Sequence, residues 1–326
     1  MKTIYDACIY PSLSVFVLGI LGNILVIVAI LKQSSLLKNN YYFFVLQLAF
    51  SDLGCLVVNT CGRFYIRFAE TPFSPHNYFT YCFVIPIMFF FQISGIYLML
   101  AISVHRYRAT VRPLKPAISR EKIKAACALG YLFAMISGYG IFTMVFFKRL
   151  KIGAYLRALS LHGTFIFIFA PTVFMAVVYC KIGRALRKQN KSMKTARSNL
   201  AQQGQESFKI LKYVQNRRAF IVCFTTVLCY GIGNLPTALW SIWFIAGKSH
   251  LTTRYGSVFG VGEILRVAGS CAVNPLIYGI WDRKLRVFWK FCRKKKRRAD
   301  KNESVRVLSA RFFKKNETLY LEAVYS

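Results

Sequence analysis

Acid is what this chain has least of. Eleven Asp and Glu stand against 45 Lys and Arg in 326 residues, and there are only four His. So few acids and imidazoles leave little for acid–base or metal chemistry. No His-Glu-x-x-His pair, Gly-x-Ser-x-Gly elbow or phosphate-binding loop is present, so no enzyme is expected. No internal repeat is visible, which argues against a transporter built from inverted halves. Intrinsic disorder is excluded, because 56% of residues are hydrophobic and the mean hydropathy is +0.41. The first residues show no charged region, short apolar core and cleavage site in succession, so no cleaved leader is expected.

The apolar residues are bunched into seven segments with the charges between them: Ala7–Leu31, Tyr41–Ala69, Tyr78–Val104, Ile123–Phe147, Tyr155–Tyr179, Ala219–Ala246 and Tyr255–Trp281. Each supplies the ~20 apolar residues needed to cross ~30 Å of hydrocarbon. Unbroken runs such as Phe43–Leu48 and Ile85–Phe91 lack the alternation of a barrel strand, so the expected fold is an all-α membrane bundle of seven helices. The connections after helices 1, 3 and 5 and the C-terminal tail hold 35 Lys and Arg, and the remaining stretches hold 10. That asymmetry puts the tail in the cytoplasm and the N-terminus outside, and the membrane expected for such a chain is the plasma membrane. The run Arg293 to Arg298 then has a membrane explanation in anionic inner-leaflet lipid, and no nucleic acid is needed as partner.

The expected organisation is a short outer N-terminus (1–6), a seven-helix domain (7–281), an amphipathic surface helix with a polybasic run (282–298) and a cytoplasmic tail (299–326). The long inner connection Lys181–Arg218 is predicted to be mobile at its Gln- and Ser-rich centre. Leu285, Phe288, Trp289 and Cys292 share one face of the surface helix, and Cys292 is a candidate for S-palmitoylation.

Polar residues inside apolar helices are costly and therefore informative. Asp52 lies mid-way along helix 2, Asn23 along helix 1 and Asn274 along helix 7, and they satisfy one another only by converging. Pro86, Pro171, Pro236 and Pro275 fall within helices 3, 5, 6 and 7, where a missing N–H kinks or loosens the helix.

Gly22-Asn23, Leu48-Ala49 with Asp52, Arg106-Tyr107 with Pro113-Leu114, Pro171 with Tyr179, Pro236, and Asn274-Pro275-Leu276-Ile277-Tyr278 occur in that order on successive helices. From about residue 15 to 292 the chain resembles the rhodopsin-like family of G-protein-coupled receptors. The resemblance implies a receptor for an extracellular ligand that activates a heterotrimeric G protein, and allows arrestin as a second partner. It implies that Arg106 contacts the G protein once helix 6 swings out, and that Tyr179 and Tyr278 stabilise the open form. With them, His105, Tyr107, Asn274 and Pro275 make up the implied switch. Asn23, Asp52, Asn234 and Asn274 form the implied central polar network. No cofactor is implied.

The chain departs from the family at several points. His105 replaces the acid beside the arginine, and Asn216-Arg217-Arg218 at the base of helix 6 offers no acid either. A neutral imidazole does not hold a guanidinium as a carboxylate does. Raised basal activity is therefore expected, unless another residue restrains Arg106. Asn234 stands where the family usually has Trp, and could join the Asp52 network. Gly95 and Cys271 replace frequent hydroxyls, which weakens the case for a sodium ion at Asp52. The second outer loop, Phe147–Leu161, contains no Cys, so the family's disulfide to it does not form; pairing of Cys82 with Cys8 or Cys61 stays open, against the reading of most of the ten cysteines as small buried hydrophobes. These departures keep open a receptor-like protein that has lost coupling and serves as a decoy or trafficking partner.

By position, the implied ligand cavity is lined by Arg63, Met88, Phe89, Gln92, Thr164, Phe167, Thr237, Ser241, Ile264 and Val267. Met88 stands where amine receptors carry Asp, so an amine is disfavoured. Ala268 stands where opsins carry the Schiff-base Lys, which excludes covalent retinal. Arg63, Arg67 and the basic second outer loop suggest an anionic or lipid-like small molecule. The competing explanation is Lys and Arg snorkelling at helix ends, and Glu263 and Arg266 are spaced to pair with each other.

Overall fold

The computed structural model describes residues 2–68, 84–114, 116, 118–147, 165–198, 203–245, 261–282 and 285. The chain divides into two compact units, Met1–Leu285 and Arg286–Ser326. The second lies outside the described residues, and with it Cys292 and most of the expected surface helix.

Helix 1 spans Lys2–Leu31, and a short helical turn, Ser34–Leu37, leads into helix 2, Asn40–Phe68. Helix 3 is Ile85–Val111 and helix 4 is Arg120–Phe147. Helix 5, Ala170–Ser198, is preceded by a π-helical turn at Phe165–Phe169, and helix 6 is Gln203–Ile245. Helix 7 runs from Val261 through a π-helical turn at Ala268–Ala272 to Asn274–Trp281. Helix 3 packs against helices 2, 4 and 5, helix 1 against 2 and 7, and helix 6 against 5 and 7. Helices 1, 2, 3, 6 and 7 are individually long and apolar enough to cross a membrane. Leu18, Ile136, Ile232 and Leu239 point outward and are exposed. Apolar side chains in that direction suit a bundle whose surroundings are hydrocarbon.

One expectation needs correction, and another, the mobile centre of the inner connection, falls partly on residues 199–202, outside the described residues. The inner connection is largely helical, because helix 5 continues to Ser198 and helix 6 begins at Gln203. Residues 181–198 hold one Gly, no Pro, four Lys, three Arg and two Ala, so propensity carries the helix past the apolar segment. Pro86 sits in the first turn of helix 3, where a missing N–H costs little. Pro171 and Pro275 each follow a π-helical turn, while Pro236 lies inside helix 6.

Candidate functional site

The helix 7 proline explains the pairing of two sequence motifs. A proline frees the carbonyl four residues before it, which for Pro275 is that of Cys271. The amide of Asn23 donates to that carbonyl at 3.3 Å and to Gly19 O at 3.0 Å. Gly22 makes the approach possible, since a Cβ there would stand 2.7 Å from Pro275 Cβ. Helix 1 thus fits against the break in helix 7 through a missing side chain and one amide.

Beside this contact Asn274 Nδ2 donates to Asp52 Oδ2 at 2.7 Å and to Ser270 O at 2.7 Å. Asp52 and Asn274 are both buried. Asn234 Nδ2 donates to Tyr230 O at 2.7 Å and to Ser270 Oγ at 3.4 Å, so helix 6 also reaches helix 7. Asp52, Gly95, Gln92, Tyr230, Asn234, Arg266, Ser270 and Cys271 line one cavity of about 30 Å³. The network is therefore two linked pairs, Asp52–Asn274 and Asn234–Ser270. Asn23 joins through a backbone carbonyl and has no direct bond to Asp52 among the described residues.

A sodium ion does not fit these donors well. A hard cation needs several oxygens. Asn274 already occupies one Asp52 oxygen, and Gly95 and Cys271 offer none. The Ser51 and Ser94 hydroxyls lie 2.5 Å apart and 2.8 and 3.0 Å from Phe91 O, so their two protons are shared between that carbonyl and each other.

At the inner end of helix 3, the Arg106 guanidinium lies over the Tyr41 ring, 3.5 Å from its centroid. Among the described residues no acid pairs with it, and its Nε has no hydrogen-bond partner. His105 turns to Phe44, with ring centroids 5.8 Å apart, and Arg112 lies 5.8 Å from the centre of the Tyr107 ring. Tyr179 accepts a hydrogen bond from Ser103 at 3.2 Å and packs against Phe220 and Phe224 of helix 6. Tyr41, Tyr179 and Tyr278 border one cavity of about 10 Å³ with Cys223 and Thr226 of helix 6. Tyr179 and Tyr278, chosen from the sequence, are thus gathered in one place. Tyr41 was not foreseen, and nothing in its sequence surroundings marks it.

The outer positions are less complete. Met88, Phe89, Gln92, Thr237 and Ile264 are half-buried. Val267 is buried in a cluster with Phe16, Cys55 and Leu56. Arg266 is bound by Glu263, and its Nη1 donates to Gln92 Oε1. Thr237 donates to Glu263 at 3.4 Å. The side chains of Arg63, Phe167 and Ser241, and all of Thr164, lie outside the described residues. Cys61 is free, and Cys8 and Cys82 lie outside the described side chains.

The family model "7 transmembrane receptor (rhodopsin family)" matches residues 22–278. The chain belongs to that family. The receptor is thus a multi-pass membrane protein and not an enzyme, and membership implies an extracellular ligand and coupling to a G protein. It is similar to the neuromedin-U receptor 1 of Mus musculus, with 26% identity across 88% of this chain and 72% of that one. The neuropeptide Y receptor type 1 of Xenopus laevis is 23% identical over 86% of this chain and 79% of its own. A shorter match, 32% identical, covers 38% of the chain and 26% of the Homo sapiens neuromedin-K receptor. Among solved structures, squid rhodopsin superposes with a TM-score of 0.71 at 17% identity, covering 88% of this chain and 84% of that one, which supports the shared fold.

Proposed function

We propose that the receptor resides in the plasma membrane with its N-terminus outside, and that ligand binding releases Arg106 to engage a heterotrimeric G protein. The observation that carries this reading is the gathering of Arg106, Tyr41, Tyr179 and Tyr278 where helices 2, 3, 5, 6 and 7 meet. A half-buried cation beside a small cavity bordered by helix 6 is a group that outward motion of helix 6 would expose further. Arrestin is a further partner of the released form.

For the ligand, a peptide is favoured over the anionic or lipid-like small molecule suggested by the basic outer residues. Two relatives that match most of the chain are named for neuromedin U and neuropeptide Y. The cation at Arg266 is already neutralised by Glu263, which removes one anchor for an acidic ligand. Ligand contacts are assigned to Met88, Phe89, Gln92, Thr237 and Ile264 by position, with Arg63, Thr164, Phe167 and Ser241 completing the rim, while Val267 packs in the cluster beneath. The test is nucleotide exchange on purified G proteins, with peptides and acidic small molecules screened in parallel. Activation by acidic small molecules alone would reverse the choice of ligand class.

A further inference from the structure

Arg106 is a half-buried cation without an acid among the described residues, its Nε is buried with no hydrogen-bond partner, and such a charge needs compensation from some other source. The family's usual source is absent at His105, and the base of helix 6 carries Asn216, Arg217 and Arg218. What meets the guanidinium is the face of Tyr41, well inside the ~6 Å range of cation–ring attraction.

The ring is held from every side. Tyr41 is 4% exposed, its backbone N–H donates to Asn39 Oδ1 at 2.9 Å, and its ring meets Tyr42 edge-on at 5.0 Å. The Tyr42 hydroxyl donates to the Asp282 carboxylate at 3.0 and 3.2 Å, just past the end of helix 7. A second tie braces the same end of helix 2. Arg120 lies 3.9 Å from the centre of the Phe43 ring and donates to Leu37 O and Asn40 Oδ1. The Tyr41 hydroxyl, by contrast, is buried and has no hydrogen-bond partner. The aromatic face is what lies against the guanidinium, and Tyr41→Phe separates its contribution from that of the phenol oxygen.

From this arrangement we infer that Tyr41 is a positioning residue for G-protein activation: its ring holds Arg106 in the resting receptor in place of the missing acid. The inference rests on the coupling role given to Arg106 above. Release requires Arg106 to leave the ring, so the ring's attraction opposes activation. A ring latch is weaker than a buried ion pair and does not depend on the protonation of a partner acid.

The test is agonist-free nucleotide exchange, per folded receptor, on a panel of purified heterotrimeric G proteins. Wild type is compared with Tyr41→Phe, Tyr41→Leu and Tyr41→Met, each also combined with Arg106→Ala. Leu and Met keep comparable bulk but lose the ring, and exchange is expected to rise about two- to thirtyfold, the span of cation–ring attraction from exposed to desolvated sites. Phe keeps the ring and is expected to match wild type, and Arg106→Ala is expected to abolish exchange throughout. Equal exchange in wild type, Leu and Met, still abolished by Arg106→Ala, would leave the coupling reading standing and overturn the role of Tyr41. A rise with Phe as large as with Leu would also overturn it, by assigning the effect to the hydroxyl. Loss of folded receptor with both Leu and Met but not Phe would make Tyr41 a structural residue only. Exchange in no variant would overturn the role of Tyr41, because loss of the ring would then release nothing.

Discussion

Asn274 donates to Asp52 across 2.7 Å, tying the break in helix 7 to the middle of helix 2. The bond needs an acceptor at residue 52, not a charge. Asp52→Asn is therefore expected to keep the folded receptor, since its amide oxygen still accepts. Asp52→Ala leaves Asn274 with one partner fewer in a buried site and should cost about 1–3 kcal/mol. Thermal melting of the purified receptor checks both; an Asp52→Ala protein that melts with wild type would contradict the assignment.

Helices 6 and 7 touch backbone to backbone. A Cβ on Gly269 would stand 2.7 Å from Cys229 O, and one on Gly233 2.8 Å from Leu265 O. Gly269→Ala and Gly233→Ala must push the helices apart, beside the Asn234–Ser270 bond, at a cost of about 1–3 kcal/mol. Gly95 is different, because its nearest neighbours to an added Cβ are Ser51 Oγ at 3.7 Å and Asp52 Oδ1 at 3.8 Å. Gly95→Ala should melt close to wild type. Gly95→Ser also places a hydroxyl beside Asp52. Agonist-free exchange is expected to ignore sodium in wild type and to become sensitive in Gly95→Ser; sodium-sensitive wild type would show that the donors suffice already.

Glu263 and Arg266 are three residues apart and pair within helix 7, with side chains 20% and 14% exposed. Removing either leaves a partly buried charge alone, at a cost below the ~3–5 kcal/mol of a fully buried pair. The double variant Glu263→Ala with Arg266→Ala should lose less than the two single losses added together. Additive melting shifts would mean that the pair contributes nothing in solution.

His105 has a buried Nδ1 without a partner and adjoins Arg106 in sequence. His105→Asp would supply the absent carboxylate, and agonist-free exchange is expected to fall. Unchanged exchange would remove the claim that the missing acid loosens the resting state.

Much of this was legible beforehand because membrane helices restrict where polar atoms go. Asn23, Asp52 and Asn274 had to converge, and the structure brings Asp52 to Asn274 directly and Asn23 to the Cys271 carbonyl. Helix ends were harder to read. Charged residues 181–198 continue helix 5 because propensity survives where hydropathy stops. Tyr41 was illegible for another reason: a tyrosine at the start of an apolar helix has no pattern that distinguishes packing from capture of a cation. Ser270 was hidden likewise, since its bond to Asn234 depends on the π-helical turn at Ala268–Ala272.

The central claim is that Arg106 transmits a signal to a heterotrimeric G protein. The most direct measurement is agonist-free nucleotide exchange across a panel of G-protein subtypes, with wild-type receptor and Arg106→Ala at matched surface expression. Exchange above background that is lost in Arg106→Ala is the predicted result. Exchange that Arg106→Ala leaves intact would contradict it; exchange with no subtype would remove the raised basal activity and leave a ligand-dependent receptor or one that has lost coupling.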